Sequence, residues 1–215
     1  MKLRTLLLLS LLSGSALHAQ TADSTSFVYR VELGATAGSG TYAPLWFTGN
    51  RYGLSSVQPN SGYLLAGIAY EKQFPRDWRI EAGLDLTAAV HHAQNVAIHQ
   101  IYSDFSWKKL TLSIGSRERE GFPLTKNTAL SSGMLVEGPN TQPIPQIRME
   151  IKDYLQVPGT RGWLAFKGHL AYGSFTENGW QEDFVRPGQT FVKDVLYHSK
   201  SLMLRLGLSL IHISE

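Results

Sequence analysis

The chain has 215 residues, 43% of them hydrophobic and 17% charged, and no cysteine. That length suits one ordinary domain, and the missing cysteines exclude a disulfide framework and a thiolate metal site. The formal charge of +3 falls to about +1 without Lys2 and Arg4, so no clustered basic face argues for nucleic acid.

The N-terminus comes first in chain order. Lys2 and Arg4 precede the apolar run Leu6–Leu12, and the small residues Ser13, Gly14, Ser15, Ala16 and Ala19 follow it. A basic region, a short apolar core and a small-residue site predict a secretory signal peptide over 1–19, cut after Ala19. Leu17 is a poorer residue than Ala three positions before that cut. The run is too short for a transmembrane helix, which needs about 20 apolar residues.

From there on, the dominant pattern is alternation with period two. Phe27, Tyr29, Val31 and Leu33 alternate with Arg30, Glu32 and Gly34. Segment 62–71 is extended in character but less clean. Over Trp78–Val90 one face carries Trp78, Ile80, Ala82, Leu84, Leu86, Ala88 and Val90, and the other carries Arg79, Glu81, Gly83, Asp85 and Thr87. Segment 96–107 is again less clean. Leu110, Leu112 and Ile114 alternate with polar or small residues, as do Ile147, Met149 and Ile151, and Leu164, Phe166, Leu170 and Tyr172. Leu202, Leu204, Leu206 and Leu208 complete the series. Successive strand side chains point to opposite faces, so these segments predict about eight strands, each with one apolar and one polar face. The span Trp78–Val90 exceeds the mean soluble strand of about 5–6 residues and suits a membrane-spanning strand of about 9–11.

Connection lengths give a second signal. If the first strand runs outward, the long connections 38–60, 118–144 and 175–194 all fall at one end, together with the short 91–95. The short connections 72–77, 108–109 and 156–161 fall at the other. Outer-membrane barrels sort their loops in this way. The fold class expected is all-β: an antiparallel transmembrane β-barrel over 20–215, here an incomplete N-terminal part of about eight strands. Incompleteness is read from the end at Ser214 and Glu215, which lacks a closing strand with a terminal aromatic. Ser209–Glu215 also resembles translated sequencing-adapter sequence and is left out of the strand reading. The competing architecture is a soluble two-sheet β-sandwich, which explains alternation equally well.

Several short segments carry a family resemblance. They are Asn50-Arg51-Tyr52-Gly53-Leu54-Ser55-Ser56, Pro59-Asn60-Ser61-Gly62-Tyr63, Leu130-Ser131-Ser132-Gly133 and Pro143-Ile144-Pro145-Gln146-Ile147-Arg148. Gly162-Trp163-Leu164, Phe166-Lys167-Gly168-His169, Leu196-Tyr197-His198 and Lys200-Ser201-Leu202 follow in order. Together they resemble the capsule assembly Wzi family as found in Bacteroidota-type bacteria. The resemblance implies a large outer-membrane barrel, monomeric when full length, of which this chain would be roughly the first half. It implies lectin-like retention of capsular or extracellular polysaccharide at the cell surface, without catalysis or cofactor. Outer-membrane lipid is the other expected partner, and no nucleic acid is expected.

A polysaccharide site needs aromatic faces for sugar C–H groups and planar polar groups for hydroxyls. Loop 38–60 offers Tyr42, Trp46, Asn50, Arg51 and Tyr52, and loop 175–194 offers Asn178, Trp180, Glu182 and Asp183. Exposed Trp and Tyr are frequent recognition anchors. For any one aromatic, the simpler reading is packing of a folded loop. Arg79, Glu81, Asp85, Arg148, Glu150 and Arg205 are expected to line the lumen, either around water or as a paired network. His91, His92 and His99 read as a solvated hairpin tip rather than a metal site. There is no Gly-x-Ser-x-Gly elbow, and Gly38-Ser39-Gly40-Thr41 lacks the lysine of a phosphate loop. The function expected is therefore polysaccharide retention at the outer membrane, with a porin-like channel for small solutes as the alternative.

Overall fold

The computed structural model describes residues 24–119, 138–176, 188–193 and 195–207. The expected signal peptide over 1–19 lies outside them. Eight strands follow one another: β1 (Thr25–Thr36), β2 (Ser61–Phe74), β3 (Trp78–Val90), β4 (Val96–Trp107), β5 (Leu110–Ser116), β6 (Gln146–Gln156), β7 (Leu164–Ser174) and β8 (Leu196–Leu206). A single helical turn, α1 (Leu45–Thr48), interrupts the first long connection. All eight strands form one antiparallel sheet in chain order, and β1 and β8 are its two open edges. The sheet is not closed.

Because neighbours in sequence are neighbours in space, connections alternate between the two ends of the sheet. The connections that follow β1, β3, β5 and β7 start and finish at one end of the sheet. Residues 75–77, 108–109 and 157–163 lie at the other. The two-residue connection Lys108-Lys109 has Lys108 at φ 52°, the positive-φ geometry that matches strand twist in tight hairpins.

The strand boundaries follow the alternation closely where both faces are distinct. They depart from it at β8, which begins at Leu196 rather than near residue 201. The apolar positions of that stretch hold His198 and Lys200, which hide the period. In β4 the register shifts so that Asp85 faces Gln100 while Leu86 faces Ile98. His99 is the extra residue of a bulge, and the bulge turns both His99 and Gln100 to the same face. A second irregularity lies between Ile151 and Leu155 of β6.

The two faces of the sheet are sorted opposite to a water-soluble protein. One face presents Tyr29, Val31, Leu33, Ile68, Leu86, Ile101, Phe105, Leu112, Ile147, Met149, Leu170, Leu202 and Leu204, all exposed. The other face buries Asp85, Thr87, Asp104, Ser106, Thr111, Ser113, Arg148, Glu150 and His169, with few apolar companions such as Leu65 and Ala165. Arg and Glu are almost never fully buried unless paired. In water the hydrophobic effect would drive the reverse arrangement, at roughly 25 cal/mol for each Å² of apolar surface.

Aromatic pairs sit towards both ends of the apolar face. At the short-connection end Trp78 stacks on Trp107 at 5.9 Å, and Phe27 meets Tyr70 at 5.1 Å. Lys108 lies over the Trp107 ring at 5.2 Å. At the long-connection end Tyr172 and His198 are 5.9 Å apart.

Candidate functional site

Two regions concentrate polar chemistry: the buried face of the sheet, and the long-connection end above it.

On the buried face a local device occurs twice. In β1, Arg30, Glu32 and Gly34 share the face, and Tyr63 of β2 stands opposite Gly34. A Cβ at Gly34 would lie 2.2 Å from the Tyr63 ring. The ring fills that space, and its hydroxyl donates to Glu32. In β3, Arg79, Glu81 and Gly83 repeat the pattern. Tyr102 of β4 stands opposite Gly83, and its hydroxyl donates to Glu81 at 2.9 Å. A Cβ at Gly83 would lie 2.5 Å from Tyr102. The spacing Arg-x-Glu-x-Gly on one strand and Tyr on the next is legible in the sequence as Arg30–Gly34 and Arg79–Gly83. Composition and alternation alone do not single it out.

A short strap ties this face together. Gly115 has φ 109°, a conformation that an L side chain resists, and beyond it Arg117, Glu118 and Arg119 reach across the face. Arg117 donates to Asp104 and, at 2.7 Å, to Glu81, and its guanidinium lies 4.3 Å from the Tyr102 ring. Glu118 accepts from Arg30 at 3.1 Å and meets His99 Nε2 at 2.7 Å. Arg119 donates to Ser113 at 2.6 Å and faces Glu150 at 3.6 Å. Burial alone would raise the Glu118 carboxyl. The hydrogen bond from His99 and the charge of Arg30 outweigh it and hold Glu118 below the usual carboxylate value.

All six residues expected to line a lumen lie on this face, in different settings. Arg148 and Glu150, 1% and 4% exposed, pair at 2.6 Å. Glu81 takes Arg117. Asp85 accepts from Gln100 at 2.8 Å and from Arg30 at 3.3 Å. Arg79 is more open and reaches Glu71 only at 3.9 Å. Arg205 is exposed and stacks on Tyr154 at 4.6 Å, apart from the network.

Two sequence expectations need correction here. His99 is not part of a solvated tip: it is 2% exposed, because the β4 bulge turns it inward onto Glu118. His91 and His92 do lie in the turn after β3. The second is the start of the connection 118–144. Expected as part of an external loop, Glu118 instead turns inward onto Arg30 and His99, and Arg119 onto Ser113 and Glu150.

Of the expected glycan-binding residues, Asn178, Trp180 and Asp183, with Glu182, lie outside the described residues. Loop 37–60 is folded around the buried Leu54, whose N–H donates to the Arg51 carbonyl at 2.8 Å. Asn50 and Tyr52 both have positive φ, 58° and 51°. Such a tyrosine is strained, and its contacts hold it in place. Its N–H donates to the Pro139 carbonyl at 2.5 Å, and its hydroxyl donates to the Arg119 carbonyl at 3.1 Å. The Asn50 N–H donates to Asn140 at 2.7 Å. These two residues therefore fasten the loop to the segment after the strap. Tyr42 and Trp46 are 73% and 76% exposed, and Arg51 is exposed as well. The structure thus divides the set into anchors, Asn50 and Tyr52, and outward-facing groups, Tyr42, Trp46 and Arg51.

No family model, curated protein or solved structure matches the chain. Among the described residues no group of three or more His, Asp or Glu is placed to hold a metal, and no helix is long and apolar enough to cross a membrane.

Proposed function

We propose that the chain is part of an outer-membrane β-barrel that retains exported polysaccharide at the cell surface. The observation that carries the membrane reading is the inverted burial of the sheet, with exposed leucine, isoleucine and phenylalanine on one face and buried ion pairs on the other. Lipid is the solvent in which that sorting is favourable, since barrels face lipid with apolar residues and a lumen with polar ones. The strand lengths, the aromatic pairs towards both ends and the collection of long connections at one end support the same reading. The order of motifs resembling the capsule assembly Wzi family supports the polysaccharide role. So does loop 37–60, which presents Tyr42, Trp46 and Arg51 outward from a fastened base. Among the described residues the buried carboxylates of this face are engaged with arginine, and His169 Nε2 lies 2.7 Å from the Ser199 hydroxyl. The role proposed is binding, with the outward aromatics of loop 37–60 as its support.

The test is a deletion of the gene in the source organism, with polysaccharide measured on cells and in the medium. Normal synthesis with most of the polymer shed is the expected result; unchanged retention contradicts the proposal. In a binding assay, Trp46→Ala should weaken glycan affinity by about 1–3 kcal/mol, by analogy with aromatic stacking on bases. Unchanged affinity would remove Trp46 from the site.

A further inference from the structure

The apolar face carries a groove of about 410 Å³ centred on Gly168 of β7. That volume falls within the range of ligand pockets. Gly168 contributes no side chain, and a Cβ there would lie 2.4 Å from the Ser201 carbonyl oxygen, so the depression is fixed by close strand approach. Met149, Ile151, Phe166 and Leu202 wall it, and Leu110 stands at its end nearest the short connections. Towards the long connections the groove meets Lys200, which sits beside Leu170 in the register.

Lys200 does not fit its surroundings. It is exposed beside the leucine, methionine and phenylalanine of the groove, with His198 two residues away on the same face, and it has no carboxylate partner among the described residues. A bare ammonium against hydrocarbon is unfavourable unless its stem reaches polar headgroups or an anion meets it. An anionic lipid supplies both parts at once: a phosphate for the ammonium and a chain for the groove.

We propose that this groove is a binding site for a phosphate-bearing lipid of the leaflet nearer the long connections. The phosphate would sit on Lys200, and one acyl chain would run past Gly168 towards Leu110. The direction is set by the strands: Lys200 to Leu202, Leu170 to Phe166 and Met149 to Ile151 all run towards the short connections. Basic positions at the membrane surface recognise anionic headgroups in this manner. The site rests on the membrane reading above, and the experiment separates the two.

The full-length barrel that contains this chain is refolded in detergent with an equal mixture of phosphatidylglycerol and phosphatidylcholine. Retained lipid is counted by native mass spectrometry, and insertion is checked separately by flotation with vesicles. The expected result is about a tenfold preference for phosphatidylglycerol in the parent chain, a ratio near one in Lys200→Gln, and loss of both lipids in the groove-filling Leu202→Trp. Failure to float overturns the membrane reading and this site with it. Flotation without a phosphatidylglycerol preference, or with a preference that both variants keep, overturns the lipid site alone. Displacement by inorganic phosphate as effective as by phosphatidylglycerol overturns the acyl-chain part. A Leu202-dependent dimer in place of bound lipid assigns the groove to a second copy and overturns it too.

Discussion

Leu84→Arg is expected to prevent stable assembly of the full-length barrel into vesicles, at a cost of about 2–4 kcal/mol for a cation near the middle of a strand if its apolar face meets lipid, as proposed. Leu84 is at the centre of β3 on the apolar face, flanked in register by Ile68 and Ile101, which are 40% and 52% exposed. The magnitude follows from the solvent. In water an arginine at such a half-exposed position would lay its stem over its neighbours and hydrate its head, with a change within about ±0.5 kcal/mol. In lipid the head has no water to reach. The folded fraction after refolding into vesicles, read by gel mobility with and without heating, checks the outcome. Normal assembly of the variant would mean that this face meets water.

Glu150→Leu has a comparably large effect for the opposite reason. Glu150 is buried and is shared by Arg148 at 2.6 Å, Lys152 at 3.4 Å and Arg119 at 3.6 Å. Removing it leaves three cations around an apolar side chain. Breaking a buried ion pair from one side costs about 3–5 kcal/mol, because the remaining charge stays desolvated. The double variant Arg148→Met with Glu150→Leu should recover much of the loss, since an apolar pair of similar volume often matches a buried ion pair. Urea titration of the refolded protein, followed by tryptophan fluorescence, measures both. Equal destabilisation in the single and double variants would show that pairing with Arg148 is not what places Glu150 there.

The sheet was legible because its two faces differ so sharply in chemistry. In β3 every second residue from Trp78 to Val90 is apolar and the others are charged, polar or small, apart from Ala89, so period and boundaries coincide with the strand. β2 is less legible because its inward positions include Tyr63, Leu65 and Ala69, which blunt the contrast. β4 is less legible because the bulge at His99 shifts the parity: Ile98 and Ile101 share a face three residues apart. The same bulge hid the buried role of His99. The strap was not legible at all, since Arg117-Glu118-Arg119 has the composition of a solvated loop. Its inward course depends on Gly115 and on carboxylates supplied by β3, β4 and β6. For the candidate site, sequence located the aromatic-rich loop 38–60 but could not divide it. Tyr52 as anchor and Trp46 as outward group differ only in what the fold brings near them, namely Pro139 and Arg119.

The claim on which the rest depends is that the apolar face meets lipid while the opposite face does not. The chain has no cysteine, so single cysteines can carry spin labels at consecutive positions 82–88 of β3 without background. In vesicles, collision rates with oxygen, which concentrates in lipid, and with a water-soluble nickel chelate report the two environments. Oxygen access should be high and nickel access low at 82, 84, 86 and 88, with low oxygen access at 83, 85 and 87. Nickel access at the even positions equal to that of an aqueous loop, or no alternation across the series, would contradict the membrane barrel and the functional reading built on it.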